Sequence, residues 1–393
     1  MSDEAIEQLV ALSERGVTQQ EIPALALALA DALACSSSAV NRGLAARDLS
    51  TLEDLTVAHS ILDLDDIDWL TVQHPGSVVI PATLTTAHEV GCDGSQLATA
   101  LSAGYRISLG AAAMLAPDMR SRWHVTAVCG AFGAGAASAL LRGSDRETLT
   151  RTLALIASSV GGLAAAPRAR NGAAVFTRVA AASLGLVAAR CAERRLPFAP
   201  GIVSGPGGLA QVLAHAPARS ISDVRGVGSV SLRLFPVTGF AHAAVWTAGT
   251  APEVEGEIKK LQVSVSEATA LVDGNEPWWN VGLAVGRSFV ARDPFACDRE
   301  SGLPPSVFVQ GSKLPLDRAT LTVHMMNGSR LELSGEAPGR MDEASTGGLF
   351  DRKAHDVLAV SGPQARSNAA SLMRGGVAAG DDVLGWLPSP VVR

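Results

Sequence analysis

The sequence predicts a mainly α protein: a large all-helical domain, a smaller inserted α+β domain, and a helical return. Three observations carry that expectation. Runs rich in Ala, Leu and Val, separated by cap and stop residues, follow one another through the first half of the chain. Near residue 228 the pattern switches to segments that alternate apolar and polar residues. From about Gly347 helix-like sequence resumes and ends in the Pro-rich Leu387-Pro-Ser-Pro. The domains are accordingly placed at 1–228, 229–346 and 347–393.

Taken in order, Asp3–Arg15 reads as a helix capped by Ser2, with acids in its first turn and a stop at Gly16. Pro23 suits a first helical position ahead of a long Ala/Leu run. Pro81 opens a short helix ending at Gly91, and Ser95 caps the next, whose Leu97, Leu101, Leu109 and Met114 share a face. Thr126–Leu141 is helical despite Gly130, Gly133 and Gly135. Each interior glycine costs about 1 kcal/mol relative to Ala, so close helix–helix contact must compensate. Helices follow at Asp145–Ser159, capped by Ser144, and at Val179–Glu193. In the inserted domain, Ile258–Ser266 alternates as a strand and Val281–Arg292 is helical. Ala319–Leu333 turns at Asn327-Gly328, the signature of a two-residue hairpin.

Composition narrows the function. A chain that is 47% hydrophobic and 18% charged buries a large core and is not disordered. Its net charge of −6, with no Lys/Arg stripe, argues against a nucleic-acid partner. The uncharged stretches Thr126–Leu141 and Thr152–Pro167 fall short of the ~20 apolar residues of a membrane span, so no membrane association is expected. Met1-Ser-Asp-Glu-Ala lacks the basic start of a signal peptide. The five scattered cysteines form neither a disulfide framework nor a zinc motif. Both features suit a cytoplasmic protein.

Two of the eight histidines stand out. His74 closes a stretch bearing Asp63, Asp65, Asp66 and Asp68; crowded acids raise one another's pKa and that of a nearby imidazole, which suits proton handling. A solvated acidic loop or an N-cap cluster is the competing explanation. His124 lies between Arg120, Arg122 and a Gly-rich helix start, a natural anion pocket, or else an exposed Arg pair with a capping His. His59, His88, His215 and His355 read as structural. Gly130-Ala-Phe-Gly-Ala-Gly and Gly205-Pro-Gly-Gly fit neither a dinucleotide fold nor a phosphate loop, and no cofactor motif is present.

Leu62-Asp-Leu-Asp-Asp…His74-Pro-Gly-Ser-Val-Val-Ile-Pro-Ala, Ala103-Gly-Tyr-Arg and Trp123-His-Val-Thr-Ala-Val-Cys-Gly-Ala-Phe-Gly-Ala-Gly together resemble the MmgE/PrpD family. Gly205-Pro-Gly-Gly-Leu, Arg233-Leu-Phe-Pro and the Asn-Gly hairpin echo it more weakly. That family includes 2-methylcitrate dehydratase, cis-aconitate decarboxylase and iminodisuccinate epimerase. The resemblance implies a helical domain with an inserted α+β lid domain, a homodimer, and no organic cofactor or metal. It places Asp63, His74 and His124 at the family's catalytic acid and two histidines, with Asp66 as a second candidate for orienting or charging an imidazole. Arg233 takes the place of a basic substrate-binding residue at the head of the lid, and Trp279 or Trp278 that of a lid Tyr.

The departures also carry meaning. Ile67 stands where the family has Thr, and the family's Lys-x-x-His stretch is replaced by Ala174 and Thr177. Arg168, Arg170 and Arg178 are near enough in sequence to restore a charge. Arg in place of Lys at position 233 keeps a carboxylate clamp. The expected function is a cofactor-independent lyase of the dehydratase or decarboxylase type, which removes a proton next to a carboxylate or carbonyl of a small organic acid. His74 and His124 are its general base and acid, in either order, and Arg233, Arg120, Arg122 and Arg178 its carboxylate ligands. A pocket that lost a Lys and a Thr does not suit 2-methylcitrate or cis-aconitate. An isomerase, epimerase or cyclase acting on a less charged molecule is the alternative, and a catalytically silent metabolite-binding homologue the second.

Overall fold

A computed structural model describes residues 3–115, 117–214, 221, 224, 226–300 and 305–391. The chain forms two compact units. One comprises Met1–Ser231, Arg340–Asp342 and Leu358–Arg393, the other Leu232–Gly339 and Glu343–Val357.

The helical unit begins with α1 (Glu4–Ser13), α2 (Glu21–Asn41), α3 (Leu52–Ser60), α4 (Gly76–Val90) and α5 (Gly94–Met114). It continues with α6 (Val125–Leu141), α7 (Arg146–Ala157), α8 (Ala165–Arg168), α9 (Ala173–Glu193) and α10 (Leu209–Ala214). Helix α6 is central, packed on α4, α5, α7 and α9. All of it but Leu140 is buried, as befits a helix that is apolar all round.

The glycines of α6 permit that crowding. A Cβ on Gly133 would lie 2.5 Å from the Gly104 carbonyl oxygen and 2.8 Å from Val79. One on Gly130 would lie 2.9 Å from Val78, and one on Gly185 of α9 2.6 Å from the Gly135 amide. The expected close contact therefore exists. Gly133→Val is expected to destabilise the protein by about 1–3 kcal/mol or more, since backbone must move to admit the side chain; a denaturant midpoint equal to wild type would contradict it.

Caps differ from the sequence-based expectation because side chains outside the local pattern supply them. Helix α1 is capped by Asp3, while the expected cap Ser2 lies outside the described residues, as does His215. Asp93, not Ser95, caps α5 in a reciprocal box with Gln96, and Asp145, not Ser144, caps α7. Helix α4 starts at Gly76 with Pro81 inside it, because the Gly76 amide donates to the distant Asp66 carboxylate at 3.0 Å. Helix α9 extends back to Ala173. By length and composition α2 and α9 could cross a membrane; 83% of the apolar window of α2 and 44% of that of α9 is buried within the protein.

The second unit contains α11 (His242–Gly249), β1 (Ile258–Ser266), α12 (Glu267–Val272), α13 (Val281–Ala291), β2 (Val307–Ser312), β3 (Arg318–Met325), β4 (Arg330–Glu336) and α14 (Thr346–Lys353). Its sheet has the order β2-β1-β3-β4, with β1 and β2 parallel and the other pairs antiparallel. Ala319, Leu321, Val323 and Met325 form the buried face of β3, and Gly328 at φ 88° makes the hairpin turn. In the helical unit, α15 (Gly362–Gly375) packs on α2 and α5. The protein is thus mostly helical with a small mixed four-stranded sheet.

Candidate active site

The acidic stretch after α3 holds three buried carboxylates, Asp65, Asp66 and Asp68, and the partly exposed Asp63, with four separate tasks. Asp63 turns the chain in the left-handed region at φ 53°. Asp68 accepts from the Thr71 amide and hydroxyl, and its own amide donates to the Gln73 carbonyl at 2.9 Å, so the chain doubles back toward His74. Asp66 caps α4 and accepts from the Tyr105 hydroxyl at 2.7 Å. A Cβ on Gly76 would sit 2.6 Å from that carboxylate, which explains the glycine. Asp65, fully buried, forms an ion pair with Arg178 of α9 at 3.1 Å.

These turns deliver His74. Its Nδ1 lies 2.6 Å from the Asp66 carbonyl oxygen and 3.7 Å from the Asp65 carboxylate. A carbonyl only accepts, so Nδ1 carries a proton and donates it. The His74 amide donates to Thr126 Oγ1 at 3.0 Å, tying this loop to the first turn of α6. His124 is the residue that immediately precedes that helix. Its amide donates to the Gly162 carbonyl at 2.8 Å, and its Nδ1 lies 2.7 Å from Thr177 Oγ1 of α9. The loop, α6 and α9 thus bring the two imidazoles into one electrostatic neighbourhood. Burial first, then the charges of Arg178 and His74, push His124 down to about 3, against the pull of Asp65 and Asp63. His124 is therefore neutral near pH 7.

Asp66 moves the other way. Burial raises its carboxyl from 3.8 to about 7, opposed by the Tyr105 hydroxyl and helped by the Asp65 charge. A carboxyl whose folded pKa is raised contributes stability below its unfolded pKa that is lost as pH rises through the folded value. Wild type is therefore expected to lose stability relative to Asp66→Asn between about pH 4 and pH 7. Thermal melts of the two across that range check it; parallel curves would contradict it.

Of the expected site residues, the helical unit brings together His74, His124, Asp63, Asp66 and Arg178. Asp66 does not hold an imidazole with its carboxylate: the Gly76 amide and Tyr105 occupy it, and only its backbone carbonyl meets His74. Arg178 is 3% exposed and held by Asp65, by Asp63 at 3.8 Å and by the Ser60 carbonyl. Arg120 and Arg122 are exposed, and Arg122 donates to the Leu213 carbonyl; the cation acting most strongly on His124 is Arg178 instead. Arg168 donates to Ser121, and Arg170 is exposed. Ile67 is buried in a bridge with Ser231, and Ala174 gives its carbonyl to the Thr177 hydroxyl at 2.7 Å.

Arg233, Trp278 and Trp279 belong to the α+β unit. Arg233 is buried there and its charge helps depress His242, whose burial is the larger cause. Trp278 and Trp279 lie half-buried in a turn, where the Trp278 carbonyl accepts from the Thr238 amide. Sequence reasoning did not assign roles to Asp65, Thr126 or Tyr105. Asp65 sat in the acidic cluster without a feature to separate it from its neighbours. Among the described residues no three His, Cys, Asp or Glu side chains are grouped to hold a metal ion.

Residues 51–222 match the MmgE/PrpD N-terminal domain, a span that contains the whole of the histidine site and excludes Arg233 and the tryptophans. No curated protein matches the chain.

Proposed function

With an MmgE/PrpD N-terminal domain at residues 51–222 as the starting point, we propose that the protein is a cofactor-independent lyase of small organic acids, with His74 and His124 as its acid–base pair. The family is mostly enzymes, typically lyases and dehydratases of organic acids. The observation that carries the reading is the shared treatment of the two rings. Each commits Nδ1 to a protein oxygen, so proton exchange with a substrate runs through Nε2.

One imidazole takes the proton from the carbon next to a carboxylate or carbonyl, and the electron pair forms an enolate. In a dehydration the enolate expels a β-hydroxyl, which takes a proton from the other imidazole and leaves as water; in a decarboxylation the C–C pair released with CO2 is protonated instead. The positive end of α6, which starts beside His124, favours the negative charge that develops.

Arg178 is already neutralised by Asp65, and Ala174 supplies no charge, so the helical unit offers few cations to a polyanion. The substrate is accordingly expected to carry one or two carboxylates rather than three, and to be neither 2-methylcitrate nor cis-aconitate. A homodimer in the cytoplasm is part of the same proposal: α9 exposes Phe176 and Val187, at 74% and 52%, and none of the five cysteines is in a disulfide. The test is a panel of mono-, di- and tricarboxylates, followed by NMR for new unsaturated or decarboxylated products. Selective turnover of the less charged members supports the reading, and exclusive turnover of tricarboxylates overturns the substrate class.

A further inference from the structure

A neutral imidazole can either give a proton from Nε2 or take one there, and the hydrogen-bond chain behind His124 decides which. The Thr177 hydroxyl has one proton. It lies 2.7 Å from the Ala174 carbonyl, which has no proton to give, so the hydroxyl donates there. Its oxygen can then only accept from His124, 2.7 Å away, and the His124 proton must sit on Nδ1. Nε2 is left as a bare lone pair, with no hydrogen-bond partner among the described residues. Gly162 frames the arrangement: a Cβ there would lie 3.7 Å from the His124 Cβ and 3.8 Å from that of Thr177, so these residues converge on one spot.

We propose that Thr177 is a positioning residue that fixes the tautomer of His124, and that His124 is therefore the base of the pair and His74 the acid. The proposal rests on the acid–base reading above and extends it by giving each ring a direction. His74 suits the donor role, because its Nδ1 proton is held by the Asp66 carbonyl and the Asp65 carboxylate, 3.7 Å away, supports its charged form. In the free protein burial first, and then the positive charges of Arg178 and His74, make His124 a weak base. A substrate carboxylate placed beside them offsets those charges and strengthens it, so proton abstraction waits for the substrate. Ala174 takes part only through its backbone, which is why a residue without functional side-chain atoms serves there.

The test is long-range proton–nitrogen NMR on the full chain labelled at histidine nitrogens, with His124 assigned from the spectrum of H124A. The expected result is an Nδ1–H, bare-Nε2 signature in wild type between pH 5 and 8, kept in Thr177→Ser and lost in Thr177→Val. In turnover, T177V is expected to lose about tenfold or more in kcat with a smaller change in KM, and T177S to stay within about threefold of wild type. A wild-type His124 protonated on Nε2, or a T177V spectrum unchanged from wild type, overturns the proposal whatever the turnover. An expected spectrum in a protein inert toward every acid of the panel overturns the acid–base reading beneath it.

Discussion

His74→Ala and His124→Ala are each expected to lower turnover by about 10²–10⁴, the usual contribution of a positioned acid or base. The geometry explains why either loss is costly. His74 is held by the Asp66 carbonyl and by its own amide on Thr126, while His124 is held by Thr177 and Gly162, so no neighbouring imidazole is free to swing in. The double variant should be little worse than the poorer single, since groups serving one proton transfer act as a unit. Both variants should keep the wild-type circular dichroism spectrum, because the backbone bonds of the two residues, His74 to Thr126 and His124 to Gly162, do not depend on the rings. Near wild-type kcat in both would contradict the assignment.

Arg178→Leu is expected to cost about 3–5 kcal/mol of stability, because it leaves the Asp65 carboxylate buried without its partner. Asp65 is 0% and Arg178 3% exposed, and the pair is 3.1 Å apart, so little solvent screens it. Adding Asp65→Asn to Arg178→Leu should recover part of the loss, since the stranded charge goes with it. Removing Arg178 also removes one of the charges that hold His124 down, so the His124 pKa should rise. Urea midpoints of the two singles and the double give the cycle. A single Arg178→Leu variant within about 1 kcal/mol of wild type would show that the pair does not hold this loop.

Much of this was legible in the residues. Ala- and Leu-rich runs with regular breakers marked the helices, and Asn327-Gly328 between alternating strands marked the hairpin. The edge strand β2 escaped notice because its parallel partner β1 is distant in sequence and half of its side chains face solvent. That His74 and His124 stand apart from the other histidines was legible because acids and a helix start flank them. Which acid mattered was not: Asp65 and Asp66 are neighbours, and only the fold sends one to Arg178 and the other to Tyr105 and Gly76. Arg120 and Arg122 misled through closeness along the chain, whereas the cation that acts on His124 arrives from α9. Helix caps misled for the same reason, since Asp66 caps α4 from outside the local window.

The central claim is that one proton, next to a carboxylate or carbonyl, passes between substrate and two imidazoles. Its most direct measurement is exchange of that C–H for deuterium in heavy water, followed by proton NMR across the carboxylate panel. The account predicts exchange or product formation with at least one acid in wild type, reduced by about 10²–10⁴ in H74A and H124A. Exchange that persists at the wild-type rate in both variants, or its absence with every acid of the panel, contradicts it.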